Sequence, residues 1–527
     1  MTQTSPTRLV ADLEAHLRPR EVEAARAWWD SYTDASPEAD RRRTTADLAL
    51  RDAYADPEAF ASLCAARGEA GDDPVVARQV DVLHDAFVPH QVGGELRARI
   101  VELETSIESS FNAFRGEIDG RSVDDNAILT VLRTSDDTEE RRGAWEASKQ
   151  VGAEVAGRIR ELARARNEAA RDLGYRDHFG LALATNELDE TRLFATLAEI
   201  DTATAAPFAH WKGGLDIHQA QRFGHEVGDL RPWHDDDPFF QEPAATGSID
   251  LDGLFGRADL DALTMRTYDG IGLDVRPVFA GSDLLPRDGK SQHAFCVDID
   301  REGDVRVLSN NVTNARWAET MLHEFGHAIY DTSIGESVPW LLRKPAHALT
   351  TEGVAMLFGR LTRDPEWLEV VMGISASEAR SLEPHLAASR RAALLVFARW
   401  VLVMTHFERG LYADPDADHD TRWWDLVERF QLVRRPDGRC APDWAAKVHL
   451  AAAPVYYQNY LYGELVASQL AATLARGAGG IVDRPAAGAL LVDRFLAPGA
   501  LRRWDRLVAD ATGESLTARH LAAELAA

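Results

Sequence analysis

The chain has 527 residues and a formal net charge of −27; that length allows a large buried core or two lobes, and the sequence shows no stripe of clustered Lys and Arg such as a face that tracks nucleic-acid phosphates needs, so the acidity is read as serving solubility. Aromatic residues are plentiful, with 13 Trp, which argues against extended disorder. Cys64, Cys296 and Cys440 lie far apart without a C-x-x-C, so neither a disulfide framework nor a Cys₄ zinc site is indicated.

Residues 1–6 lack a basic region followed by an apolar run, so no signal peptide is read there. The most apolar stretch, 392–404, is cut by Arg399 and too short to span a bilayer. It is expected to be a buried helix. A soluble, cytoplasmic protein is expected, with no nucleic-acid or membrane partner.

From residue 19 to 210 the pattern is helix after helix. Pro19 is expected to open the first, with Val22, Ala25, Trp28 and Trp29 on one side. Segments 75–87, 96–114, 124–132 and 139–173 follow with apolar residues at three- and four-residue spacing. Gly116, Gly120 and Gly174 punctuate them. Alternating strand patterns are almost absent, so this half is expected to be all-α. Residues 222–258, with Gly224, Gly228, Pro232, Pro238, Pro243 and Gly247, form a long irregular stretch. It is expected to be a linker or a loop over a cleft. A helix is expected over 261–271.

The clear strand pair comes next. Residues 293–300 alternate, Arg301-Glu302-Gly303-Asp304 turns, and Val305 to Leu308 returns. A free strand edge can pair with an extended peptide; a purely structural hairpin fits the pattern equally well.

A helix is expected from an Asn314 cap to Asp331. Ala318, Met321, Leu322, Phe325, Ala328 and Ile329 would form its buried flank. It carries His323-Glu324-Phe325-Gly326-His327. Two His at i and i+4 project from one face, a spacing that lets two neutral imidazoles hold one Zn²⁺ with Glu324 beside it as general base.

A hydrolytic zinc site usually takes a third protein ligand. The extended H-E-x-x-H-x-x-G-x-x-H pattern is excluded, because Tyr330 and Ser333 stand at its Gly and third His. Glu352 is the next candidate, on a helix expected to begin with Thr350 and Thr351 as caps. The other reading of Glu352 is a first-turn carboxylate suited to the helix dipole. Further on, Lys447, His449, Tyr457 and Tyr460 cluster. Tyr and His can hydrogen-bond a developing oxyanion, although an aromatic run also fits a core.

Taken in order, these blocks resemble the angiotensin-converting-enzyme family of zinc peptidases and, more distantly, its thimet oligopeptidase and oligoendopeptidase relatives. The blocks are Asn167 to Tyr175, His293-Ala294-Phe295-Cys296, the His-Glu motif, Glu352, Trp423-Trp424-Asp425-Leu426 with Phe430-Gln431, Lys447-Val448-His449, and Tyr457 with Tyr460. The likeness covers about residues 130–470. It implies an all-α, two-lobed shell around a deep channel with a small β-hairpin near the zinc. The whole of 1–527 would be one catalytic domain with its core at about 260–470.

The resemblance also implies residue roles. His323, His327 and Glu352 would hold one Zn²⁺ per chain, and Glu324 would activate zinc-bound water and then protonate the leaving amine. His449 and Tyr460 would stabilise the oxyanion. The His293–Ala294 strand would pair with the peptide, and Lys447 and Tyr457 would hold a substrate C-terminal carboxylate. A peptidyl-dipeptidase acting on short peptides follows. An oligoendopeptidase with the same metal chemistry and a non-catalytic peptide-binding protein are the alternatives. Met356 stands where the family often has an acidic residue four positions after the zinc Glu. Asn459 and Val427 stand where it has chloride-binding Arg, and the Lys-to-Tyr spacing is one residue longer.

Overall fold

The computed structural model describes residues 5–34, 36–68, 73–243 and 251–526. Helices dominate these residues, and the strands form only two two-stranded sheets. No helix among the described residues is long and apolar enough to cross a membrane. The chain divides into two units. The first comprises Met1–Gln91, Ile249–Ala387 and Tyr462–Leu521; the second comprises Val92–Ser248, Ala388–Leu461 and Ala522–Ala527.

In the first unit, the opening helix runs Pro6–Thr33 and passes through Pro19 instead of starting there. Ser5 accepts from the Arg8 amide and Pro6 takes the first turn, so start chemistry already exists upstream. Val10, Leu13 and Leu17 continue the buried face into Ala24 and Ala27. That continuous face outweighs one lost backbone hydrogen bond at Pro19.

The expected hairpin is present, but shorter. Phe295–Asp298 pairs antiparallel with Val305–Leu308, with Phe295 opposite Leu308 and Asp298 opposite Val305. His293 and Ala294 lead into the strand instead of belonging to it. Arg301 (φ 58°) and Gly303 (φ 113°) turn the chain in the left-handed region, where Gly303 is unstrained. Alternation gives the first strand two faces. Phe295 and Val297 pack with Trp29 and Tyr32 of the opening helix, and Phe295 also meets Trp28 at 4.2 Å between ring centroids. On the other face, the Cys296 thiol lies close enough to Glu324 and Asp331 to feel their charge.

Two helices follow in this unit. Ala315–Ser333 starts where expected, with Asn314 accepting from the Trp317 amide at 2.8 Å. All six residues assigned to its inner flank are buried. Ala348–Gly359 starts earlier than expected. His347 is its cap and accepts from the Leu349 amide at 3.0 Å, while the Thr350 hydroxyl accepts from the His347 amide at 3.1 Å. Glu352 therefore sits in the second turn. The dipole effect is confined to the first turn, so it does not explain that residue.

In the second unit, the long helix Thr138–Asp172 follows the periodic pattern. One expectation fails nearby: Gly116–Ile118 and Arg121–Val123 form a small antiparallel hairpin. Its two-residue turn, Asp119 (φ 51°) and Gly120 (φ 74°), is an Asp-Gly hairpin turn. Three-residue strands are too short to display a convincing alternation.

Residues 231–237 of the irregular stretch, which follows Glu190–Phe223, are tied to the long helix. Arg141, fully buried, donates to the carbonyls of Trp233 (2.7 Å) and Asp235 (3.0 Å). Gly247 lies outside the described residues. The apolar 392–404 stretch is helical, within Ala376–Ala413, and largely buried.

Candidate metal centre and active site

The His-Glu motif is placed by close helix packing within the first unit. Gly326 lies between His323 and His327, against the helix that carries Glu352. A Cβ built on it would stand 2.7 Å from the Cα of Ala355. Gly463, on Tyr457–Ala478, meets the same helix; its Cβ would stand 3.0 Å from Cβ of Glu352 and 3.1 Å from Sδ of Met356. At Gly326 a side chain would push against backbone and separate the helices, whereas at Gly463 the fit is tight.

This packing brings the sequence-derived ligands together. One donor atom each from His323, His327 and Glu352 lies within 4.8 Å of the others. His323 Nε2 is 3.7 Å from a Glu352 oxygen, and the two imidazole centroids are 4.9 Å apart and nearly perpendicular. Among the described residues this is the only group of three or more such side chains arranged to hold a metal.

The electrostatics fit a divalent cation. Burial pushes His323 down to about 4 and His327 further, so both imidazoles are neutral, the form that can bind a metal. Burial, then Glu464, pushes Glu352 up to about 7. Burial, then Glu352, pushes Glu324 up to about 8, against a hydrogen bond from the Cys296 amide that favours its charged form. Two crowded carboxyls and two uncharged imidazoles make a pocket short of positive charge, which a metal ion relieves. Two imidazoles and one carboxylate are also a donor set used by catalytic zinc.

Nearby groups brace these side chains. Thr351 Oγ1 lies 2.7 Å from Nδ1 of His327. Tyr268 donates to the Leu322 carbonyl at 2.7 Å, beside His323. Glu464, whose charge acts on Glu352, is paired with Arg360 at 2.7 Å.

The second sequence-derived cluster lies in the second unit. His449 and Tyr457 ring centroids are 4.9 Å apart, and Tyr457 and Tyr460 5.9 Å. The Lys447 ammonium donates to the Gln241 amide oxygen at 2.8 Å and stands 5.9 Å from the Tyr457 ring. Gln241 is aimed by Asp237, whose carboxylate accepts from the amides of Phe239 (2.9 Å) and Gln241 (3.0 Å). Burial pushes Lys447 down to about 8 and His449 down to about 4, the latter helped by Lys447. Nδ1 of His449 is buried without a hydrogen-bond partner. His293 is exposed, its amide 3.3 Å from the Ser291 hydroxyl, and Ala294 is half-buried at the strand's entry.

Sequence reasoning missed Thr351 and Gln241. Thr351 had a faint signal, since it precedes the proposed ligand. Gln241 had none, because it lies far along the chain from Lys447 in a stretch without periodicity.

Residues 282–527 match the model of peptidase family M3, the thimet oligopeptidase and oligoendopeptidase family of zinc-dependent peptidases. The matched region contains the hairpin, the His-Glu motif, Glu352 and the Lys447–Tyr460 cluster. One zinc ion per chain is therefore expected. No curated protein matches the chain.

Proposed function

We propose, from the premise that residues 282–527 carry the zinc metallopeptidase region of peptidase family M3, that this chain releases dipeptides from the C-termini of short peptides. His323, His327 and Glu352 would hold the zinc ion, which supplies a Lewis acid that polarises a carbonyl and acidifies water. Glu324 takes a proton from the attacking water on its carboxylate and passes it to the leaving amine. The Cys296 amide donates to that carboxylate and favours its charged form, against burial and Glu352. The strand entered through His293 and Ala294 is assigned to main-chain pairing with the substrate, and His293 to substrate contact. His449 and Tyr460 are assigned to the oxyanion, as hydrogen-bond donors that are strongest where charge develops.

The observation that carries the dipeptidase reading is the environment of Lys447. Its hydrogen-bond partner is the neutral oxygen of Gln241, beside the Tyr457 ring. An ammonium and an amide beside an aromatic ring in a desolvated place suit a terminal carboxylate, which accepts charge-assisted hydrogen bonds. The second reading, an oligoendopeptidase, is favoured by the family match. Retention of Glu324 weighs against a mere peptide binder, because binding needs no general base. The test is digestion of one short peptide with a free and with an amidated C-terminus, analysed by mass. Dipeptide release from the free form alone supports the proposal. Equal internal cleavage of both rejects it in favour of the second reading.

A further inference from the structure

We propose that Thr351 is a positioning residue, whose hydroxyl fixes the proton of His327 on Nδ1 and so turns the Nε2 lone pair toward the metal. The inference rests on the zinc reading of His323, His327 and Glu352. Its geometry is direct: Thr351 Oγ1 is 2.7 Å from His327 Nδ1.

A metal-binding imidazole is neutral and carries its single proton on the nitrogen away from the ion. A hydroxyl facing Nδ1 accepts that proton's hydrogen bond and holds the ring plane. Were the hydroxyl to donate instead, the proton would sit on Nε2 and that nitrogen would lose its lone pair. Position adds a second effect. Thr351 directly precedes Glu352 on Ala348–Gly359, so one helical turn supplies both a ligand and the group that orients another. Met356, one turn further, offers only a thioether and packs against the helix at Gly463. Val at 351 keeps the shape and removes the hydroxyl; Ser keeps the hydroxyl and removes the methyl.

The experiment compares wild type, Thr351→Val and Thr351→Ser as full chains. It measures zinc affinity by chelator competition, the visible spectrum of the Co²⁺-loaded protein, and folding by circular dichroism. Thr351→Val is expected to weaken zinc binding by about 10- to 100-fold and to alter the Co²⁺ bands. Thr351→Ser is expected to stay near wild type in both. If Val does not fold, Thr351→Ala takes its place in the same comparison. The inference is overturned if the hydroxyl-free variant binds zinc as tightly as wild type, or if Ser is as weak as Val. Wild type that binds no zinc would instead overturn the underlying reading of the centre.

Discussion

Gly326 meets Ala355 so closely that a methyl group on the glycine would stand 2.7 Å from the Ala355 Cα. The contact lies between the helices that carry His323, His327 and Glu352, the proposed zinc ligands, so their spacing depends on it. Gly326→Ala is expected to force these helices apart, at a cost of about 1–3 kcal/mol in stability from overpacking. Zinc affinity should fall with it. Thermal melting and chelator competition measure the two effects; an unchanged affinity would show that the spacing tolerates the added methyl.

Glu324→Gln keeps the shape of the side chain and an acceptor for the Cys296 amide. It removes the proton-accepting oxygen. Zinc content should stay at one per chain, while kcat falls by about 10²- to 10⁴-fold. Metal analysis and steady-state kinetics check this together. Near-normal kcat with zinc in place would take Glu324 out of its role as general base.

Removing zinc with a chelator should abolish peptide hydrolysis and lower the melting temperature. A ligand held only by the folded state stabilises it by about 4 kcal/mol at a thousandfold excess over Kd. Adding zinc back should restore both properties. Full activity in protein stripped well below one metal per chain would contradict the assignment.

Lys447→Met removes the ammonium that Gln241 now accepts from. A hydrogen bond to a charged group is worth about 1.5–3 kcal/mol, so KM for peptides with a free C-terminus should rise about 10- to 100-fold. Amidated peptides, which lack the carboxylate, should show no such change. Equal effects on both substrates would place Lys447 outside carboxylate recognition.

Stability should carry a pH signature from Glu408 in the second unit. Its buried carboxyl accepts from the Val455 amide at 2.6 Å, where Val455 (φ 55°) precedes Tyr457–Ala478. Burial pushes Glu408 from 4.5 up to about 8, although the Val455 amide and Arg166 favour its charge. A raised folded value means that the folded chain holds this proton more tightly than the unfolded one. The stabilisation is complete below about 4.5 and is lost as pH rises through about 8. Glu408→Gln should remove that part of the slope in melting temperature between pH 5 and 8.5. Identical slopes in both proteins would assign the dependence elsewhere.

The sequence by itself determined the helical character, the Asn314 cap, the buried flank of the motif helix and the pairing of His323 with His327. It also marked the hairpin before that helix, although the first strand is Phe295–Asp298 and not 293–300. These features depend on contacts three or four residues apart, or on turn and cap chemistry, and such short-range causes are written in the local order of residues. Two local features were nonetheless overlooked, the helix that begins before Pro19 and the hairpin around Asp119 and Gly120, because their signals were brief or masked by a proline. Only the tertiary structure decided that Glu352 comes within 3.7 Å of His323, that Thr351 meets His327, and that Gln241 meets Lys447. Each of those meetings joins separate elements, and depends on how closely whole helices and loops pack, as at Gly326 and Gly463. Distance between remote segments is a sum over all that packing, and no single stretch of the chain encodes it.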